Sequence, residues 1–106
     1  MKKITLKTVP IMIGENEQSF NYFTQIKYIL ENPSTPEVGA TVSEIRQSVR
    51  VLDKIEAQVQ KDKPEYQIEL EDADYDYLKQ RVAGAHYSMN NKALLDFIDG
   101  ICNLKE

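Results

Sequence analysis

Few residues of this chain combine a reactive side chain with a spacing that chemistry requires. The densest group is an acidic run at a predicted helix start, made of Glu69, Glu71, Asp72, Asp74 and Asp76. Asp72 and Asp76 fall one helical turn apart and could share a hard cation. A calcium-binding EF-hand loop needs a central glycine, and no glycine lies between Asp72 and Gly84. We favour the alternative, in which acidic side chains match the dipole of a helix N-terminus, and we expect no metal site.

The single histidine, His86, and the single cysteine, Cys102, show no catalytic pattern. A catalytic histidine needs an orienting partner and usually a nucleophile, and neither has a local signature here. One cysteine permits no internal disulfide and no multi-cysteine zinc site. The four glycines stand apart from one another, so the sequence has no glycine-rich phosphate loop. We therefore expect no catalytic residue, no cofactor and no enzymatic activity.

The composition is that of an ordinary globular domain. The 106 residues are 42% hydrophobic and 28% charged, which predicts one domain over residues 1–106 with a single core. No apolar run approaches the roughly 20 residues of a membrane span, and no signal-peptide segment follows the first residues. We expect a cytoplasmic protein that does not bind membranes.

The net charge of −4 is concentrated in the last third of the chain. Residues 64–106 carry nine acidic and four basic side chains, whereas residues 41–63 carry four acidic and five basic ones. An acidic surface repels phosphate groups, so the last third is a poor surface for nucleic acid. Only the middle segment could approach a polyanion.

Hydrophobic periodicity predicts the elements that position these side chains. Strands are predicted near 3–8 and 66–70, and helices near 20–31, 42–59, 73–83 and 91–102. Two or three short strands need helices to cover them. We therefore predict an α+β fold: a small, mostly helical domain with about four helices and a short two- or three-stranded antiparallel sheet that joins the N-terminus to residues 66–70.

Turn and capping residues predict where these elements begin and end. Pro10 should make residues 11–13 a separate extended piece or an edge. The expected N-caps of the first, third and fourth helices are Ser19, Asp72 and Asn90. Gly84 is the expected left-handed stop of the third helix.

The predicted helix over 42–59 has the clearest start, because Thr41 and Glu44 form a capping-box pattern. Its predicted core face consists of Val42, Ile45, Val49, Leu52 and Ile55. Val51 then points away from the core, so either the N-terminal strand or another subunit should cover it. The opposite face carries Arg46, Gln47, Arg50 and Lys54. Arginine and glutamine read base edges in a major groove, but a solvated or protein-facing surface has the same composition, and we favour the latter.

Tyrosine is the enriched aromatic residue, with six tyrosines and no tryptophan. Tyr75 and Tyr77 lie about 200° apart on their helix, so one of them must face away from the core. Exposed tyrosine is common at protein interfaces because it is large, rigid and amphipathic. The candidate partner-binding residues are Val51, Tyr66, Tyr77 and Tyr87.

One stretch, FNYFTQIKYILENPSTPEVGATVSEI over residues 20–45, resembles the first half of a winged helix-turn-helix domain. That family often shows a helix ending near ENP, a loop with glycine, and TVSEI opening the second helix. The resemblance implies a DNA-binding regulator in which Arg46, Gln47, Arg50 and Lys54 of the middle helix contact DNA.

The whole chain resembles small proteins encoded by phages and prophages. The residues that carry this likeness are the MKKITLKTVPI opening and the IELEDADYDYLKQRV phrase. The resemblance implies an assembly, adaptor or host-directed protein that acts by contact, in the host cytoplasm or the virion. Our leading expectation is a non-enzymatic protein–protein interaction protein that forms a homo-oligomer or a subunit of a larger assembly. The DNA-binding regulator is the alternative.

Overall fold

The computed structural model of the protein describes residues 1–35, 37–85, 87 and 92–103. Within these residues it has three strands, β1 (Lys2–Ile13), β2 (Asn16–Asn21) and β3 (Glu65–Leu70). The four helices in the same residues are α1 (Tyr22–Glu31), α2 (Val42–Glu56), α3 (Asp72–Gly84) and α4 (Lys92–Cys102). The α+β fold class is therefore confirmed, with an antiparallel sheet in the order β2-β1-β3.

The central strand β1 forms two separate ladders along its length. Residues 2–7 pair with β3, and residues 8–13 pair with β2. Ile4 and Leu6 are buried in the first half, but Ile11 is buried in the second. Because strand side chains alternate between faces, the two halves of β1 bury opposite faces.

Pro10 lies within β1 and does not end it, so residues 11–13 are part of the same strand. Thr8 donates its backbone N–H to the Pro64 oxygen, on the β3 side, at 3.0 Å. The position two residues later faces the same edge. The pairing of β1 with β3 ends at Lys7, so β3 does not pair with Pro10 at this edge. The missing N–H of Pro10 therefore costs the sheet no hydrogen bond.

A tight hairpin joins β1 to β2. Gly14 has a φ of 65° and is the first of the two residues between the paired Ile13 and Asn16, the position that favours glycine in a type II′ turn. β2 is not predicted from the sequence, because Phe20 is its one buried residue and no alternating pattern marks the strand.

The first helix begins two residues later than predicted. Ser19, the expected cap, belongs to β2, and the cap is Asn21 instead. The Asn21 side chain accepts the Thr24 N–H at 2.9 Å and donates to the Thr8 hydroxyl at 2.8 Å. This side chain therefore joins the start of α1 to the middle of β1.

The remaining helix termini agree with the predictions in part. Thr41 caps α2 and accepts the Glu44 N–H at 3.1 Å, as predicted, but the Glu44 carboxylate accepts the Ser34 N–H instead of returning to Thr41. In α3 the N-cap position is Glu71 and not Asp72, and Gly84 stays helical instead of taking a left-handed conformation. Asn90 lies outside the described residues.

The core lies between the sheet and the four helices. Phe20, Tyr22 and Phe97 form an edge-to-face cluster with ring centroids 5.0–5.7 Å apart, which joins β2, α1 and α4. Phe97 is fully buried in α4, whereas Leu95 of the same helix is exposed. The other fully buried large side chains are Ile4, Leu6, Ile26, Val51, Ile55, Ile68, Leu70, Leu78, Val82 and Ile101.

Candidate functional site

Helix α2 is rotated about its own axis relative to the orientation predicted from sequence. Its buried residues are Ser48, Val51 and Ile55, and Val51 is 0% exposed. Three residues of the predicted core face are instead at the surface: Val42 is 64% exposed, Ile45 50% and Val49 52%. The expectation that Val51 points away from the core is therefore wrong, and its burial leaves no surface for a partner.

A polar network explains why the inner face of α2 can contain a serine. The Ser48 hydroxyl lies 2.6 Å from the Tyr77 hydroxyl and accepts a hydrogen bond from Arg81 at 2.8 Å. Arg81 also donates to the Tyr77 hydroxyl at 2.9 Å. Buried polar groups are tolerated when they are paired, so these bonds fix which side of α2 meets α3.

Arg81 of α3 also satisfies the end of α1. Its guanidinium donates to the Ile29 oxygen at 2.7 Å and to the Asn32 oxygen. The last carbonyls of a helix have no partner within the helix, and Arg81 supplies one. The Glu44 carboxylate lies 3.9 Å from the same guanidinium. Arg81 thus holds α1, α2 and α3 together.

A groove of about 640 Å³ lies beside this junction. Most of its lining residues carry an amide or hydroxyl group, and they come from α1, α2, α3 and the segments that flank these helices. Among the described residues, every buried side-chain nitrogen and oxygen has a hydrogen-bond partner. The Arg81 guanidinium is therefore already committed to protein oxygens, and we assign it a structural role.

A second charged contact fixes the other side of α2. Asp74 is almost fully buried and accepts hydrogen bonds from Lys54 at 2.6 Å and from Arg50 at 3.0 Å. Burial of Asp74 acts to raise its pKa, but the adjacent ammonium and guanidinium groups outweigh this effect and lower the pKa. The acidic run therefore contributes to the fold a buried carboxylate that is paired with two partly exposed cations.

This ion pair changes the interpretation of the basic face of α2. Arg50 and Lys54 bind Asp74, whereas Arg46 and Gln47 are exposed. Half of the proposed DNA-reading set is therefore engaged with α3. In addition, α2 is one unbroken helix of 15 residues, so the separate recognition helix of a helix-turn-helix does not follow residue 45.

The candidate tyrosines are partly buried, and their hydroxyl groups have protein partners, which for Tyr66 is the backbone of Gln60. The Tyr77 hydroxyl belongs to the Arg81 network, and the Tyr87 hydroxyl donates to the Val82 oxygen at 2.8 Å. Burial raises the pKa of Tyr87 to about 12 and also raises the pKa of Tyr66. The three candidate tyrosines are half-buried and pack against the core, whereas Tyr28 is 63% exposed.

The other candidate chemical groups do not converge. Among the residues that the structure describes, no three His, Cys, Asp or Glu side chains could hold one metal ion. Burial raises the pKa of the Cys102 thiol, which disfavours a reactive thiolate. His86 lies outside the described residues.

The surface feature that sequence reasoning missed is the exposed row of Val42, Ile45 and Val49, here called the α2 outer stripe. The three side chains are three and four residues apart and so lie along one face of the helix. Val38, four residues before Val42, is also exposed, and Leu52 continues the row at the edge of the core. The spacing of these residues indicates an apolar helix face in the sequence, but that face was predicted to lie in the core.

Among the described residues, no helix is long and apolar enough to cross a bilayer. Comparison with known proteins gives the chain no family: no family model, no curated protein and no solved structure matches it.

Proposed function

We propose that this chain is a non-enzymatic protein–protein interaction protein, encoded by a phage, that acts as an oligomer or as a subunit of a larger assembly. Its docking surface is the α2 outer stripe. The phage origin rests on the whole-chain resemblance alone, whereas the docking surface rests on the exposure of three aliphatic side chains along one helix face.

The exposed stripe favours a partner because its side chains form a row. Single exposed apolar residues are normal on a monomer, whereas contiguous apolar patches larger than a few hundred Å² commonly mark an interaction site. The stripe places three exposed aliphatic side chains next to one another on one helix face. Burying this row against another protein would remove the apolar surface of Val42, Ile45 and Val49 from water.

The polar contacts of α2 support this proposal. Ser48 is bonded to Tyr77 and Arg81, and Arg50 and Lys54 are bonded to Asp74, so the helix is fixed on two sides. Rotating α2 to bury the stripe would break these bonds and leave the buried Asp74 carboxylate without its two cation partners. The stripe therefore stays at the surface until another molecule covers it.

The test compares the wild-type chain with the double variant I45Q/V49Q. The control, M12Q/L95Q, also removes two exposed apolar side chains, but from β1 and α4. Each tagged full chain is expressed in the cell that encodes it, and the proteins that co-purify, untagged copies included, are quantified. We expect a partner that the wild type and M12Q/L95Q retain and that I45Q/V49Q loses at least about tenfold. Equal recovery by all three chains, or no partner for any of them, would refute the proposal.

A further inference from the structure

We propose that the partner on the α2 outer stripe is a second copy of this chain. In this dimer the two α2 helices pack antiparallel about a two-fold axis near Val49. The inference rests on the proposed docking role of the stripe and adds the identity and the orientation of its occupant.

The spacing of the stripe indicates that a helix covers it. Val42, Ile45, Val49 and Leu52 follow one another at intervals of three, four and three residues. Apolar side chains at these alternating intervals form the face along which two packed helices interlock their side chains. A second α2 has the same spacing and the same short side chains, so it fits this face along its whole length.

Two charged side chains beside the stripe favour the antiparallel orientation. Arg46 and Asp53 are exposed, seven residues apart, and therefore on the same flank of α2. Neither forms an ion pair with a residue that the structure describes. A two-fold axis near Val49 brings Arg46 of each copy to Asp53 of the other, giving two symmetric pairs. In a parallel dimer, Arg46 would instead lie level with Arg46 of the other copy, and Asp53 level with Asp53, so no oppositely charged pair would form.

The charge of the whole chain also restricts where two copies can meet. The net charge of −4 is concentrated after residue 63, so the surface of the last third repels the same surface of a second copy. The α2 outer stripe combines apolar side chains with one positive and one negative flanking group, so it is locally neutral.

The size of the stripe predicts a weak dimer. The stripe offers three exposed side chains and the half-buried Leu52, far fewer than the roughly 20–30 residues and 800 Å² per partner of a stable interface. We therefore expect a dissociation constant on the order of micromolar or weaker, so that dimers form at high local concentration.

Sedimentation equilibrium of the full chain tests this dimer, measured from roughly micromolar to millimolar concentration. We expect the wild type to associate reversibly into dimers and I45Q/V49Q to associate at least about tenfold more weakly. R46D and D53R should each weaken the dimer severalfold, and R46D/D53R should restore it, because the reversed charges pair again. K61D, an exposed change of the same charge outside the stripe, controls for net charge, and circular dichroism checks that each variant is folded.

The outcomes separate this inference from the proposed function. A dimer that I45Q/V49Q leaves intact, or one that R46D/D53R does not restore, overturns the antiparallel pairing. A strictly monomeric wild type also overturns it. If that monomer still recovers another protein through the stripe in the co-purification test, the proposed function stands and the inference alone fails.

Discussion

At the scale of single residues, Asp74 explains more of the fold than any other acidic side chain. It is buried, and its two partners come from a different helix, Lys54 at 2.6 Å and Arg50 at 3.0 Å. Both cations remain partly exposed, so water can solvate them if the carboxylate is removed. The cost of losing Asp74 should therefore fall below that of breaking a fully buried ion pair.

We predict that Asp74→Asn lowers the free energy of unfolding by about 1–3 kcal/mol near neutral pH, because it replaces two hydrogen bonds to charged groups. Asp76→Asn is the matched control, since Asp76 is exposed on the same helix, and it should change stability by less than about 0.5 kcal/mol. Urea denaturation measures both. Equal effects of the two substitutions would contradict the assigned role of Asp74.

The pH dependence of the same variants gives a second test. The folded-state pKa of Asp74 is lowered from 3.8, so its contribution is present above the unfolded pKa and is lost as pH falls through the folded pKa. The stability difference between wild type and Asp74→Asn should therefore shrink as pH falls below about 4. A difference that stays constant down to about pH 2 would show that the charge of Asp74 is not responsible.

At the scale of elements, the sequence predicted the types and most boundaries, but it predicted the wrong orientation for α2. The strand predicted near 66–70 and the Thr41 cap are confirmed. The error in α2 has a physical reason. Periodicity ranks faces by apolar content, but the inner face includes Ser48, whose burial depends on Tyr77 and Arg81 from another helix.

The other misses have similar causes. β2 has one buried residue and is defined by its ladder to β1, a pairing that local sequence does not encode. Val51 was proposed as a partner-binding residue because it was predicted to point away from the core, and the tyrosines because of their residue type. Val51 is instead in the core, and the Tyr77 hydroxyl is part of the Arg81 network. The α2 outer stripe was correctly predicted to be an apolar helix face, but it was placed in the core and lies at the surface.

The orientation of α2 can be tested with one matched pair of substitutions. Val51→Ala should lower the free energy of unfolding by about 1.5–3 kcal/mol, because it opens a cavity at a fully buried site. Val49→Ala, on the exposed stripe two residues earlier, should change it by less than about 0.5 kcal/mol, since alanine also favours helix. Thermal or urea denaturation is measured at low protein concentration, where the proposed dimer is dissociated. A larger loss for Val49→Ala would mean that the stripe faces the core.

At the scale of the whole molecule, charge and contact geometry favour a protein partner over nucleic acid. The acidic last third repels phosphate, and two of the four basic or amide side chains proposed to read DNA are bound to Asp74. The contacts available to DNA are therefore few.

We predict that the wild-type chain shows no salt-sensitive affinity for random duplex DNA at low ionic strength. Fluorescence anisotropy with a labelled duplex measures this, with Arg46→Ala as the comparison. Affinity that falls steeply with salt and is weakened by Arg46→Ala would instead support a DNA-binding regulator.

The central claim is that this chain acts by contact through the α2 outer stripe. Backbone amide NMR of the isotope-labelled full chain, titrated with unlabelled chain and with any partner recovered by co-purification, tests it most directly. We predict that the resonances that shift or broaden cluster at Val42, Ile45, Arg46, Val49 and Asp53, while Met12 and Leu95 stay unchanged. Perturbations centred on Met12 or Leu95, with α2 unaffected at every concentration and by every partner, would contradict the claim.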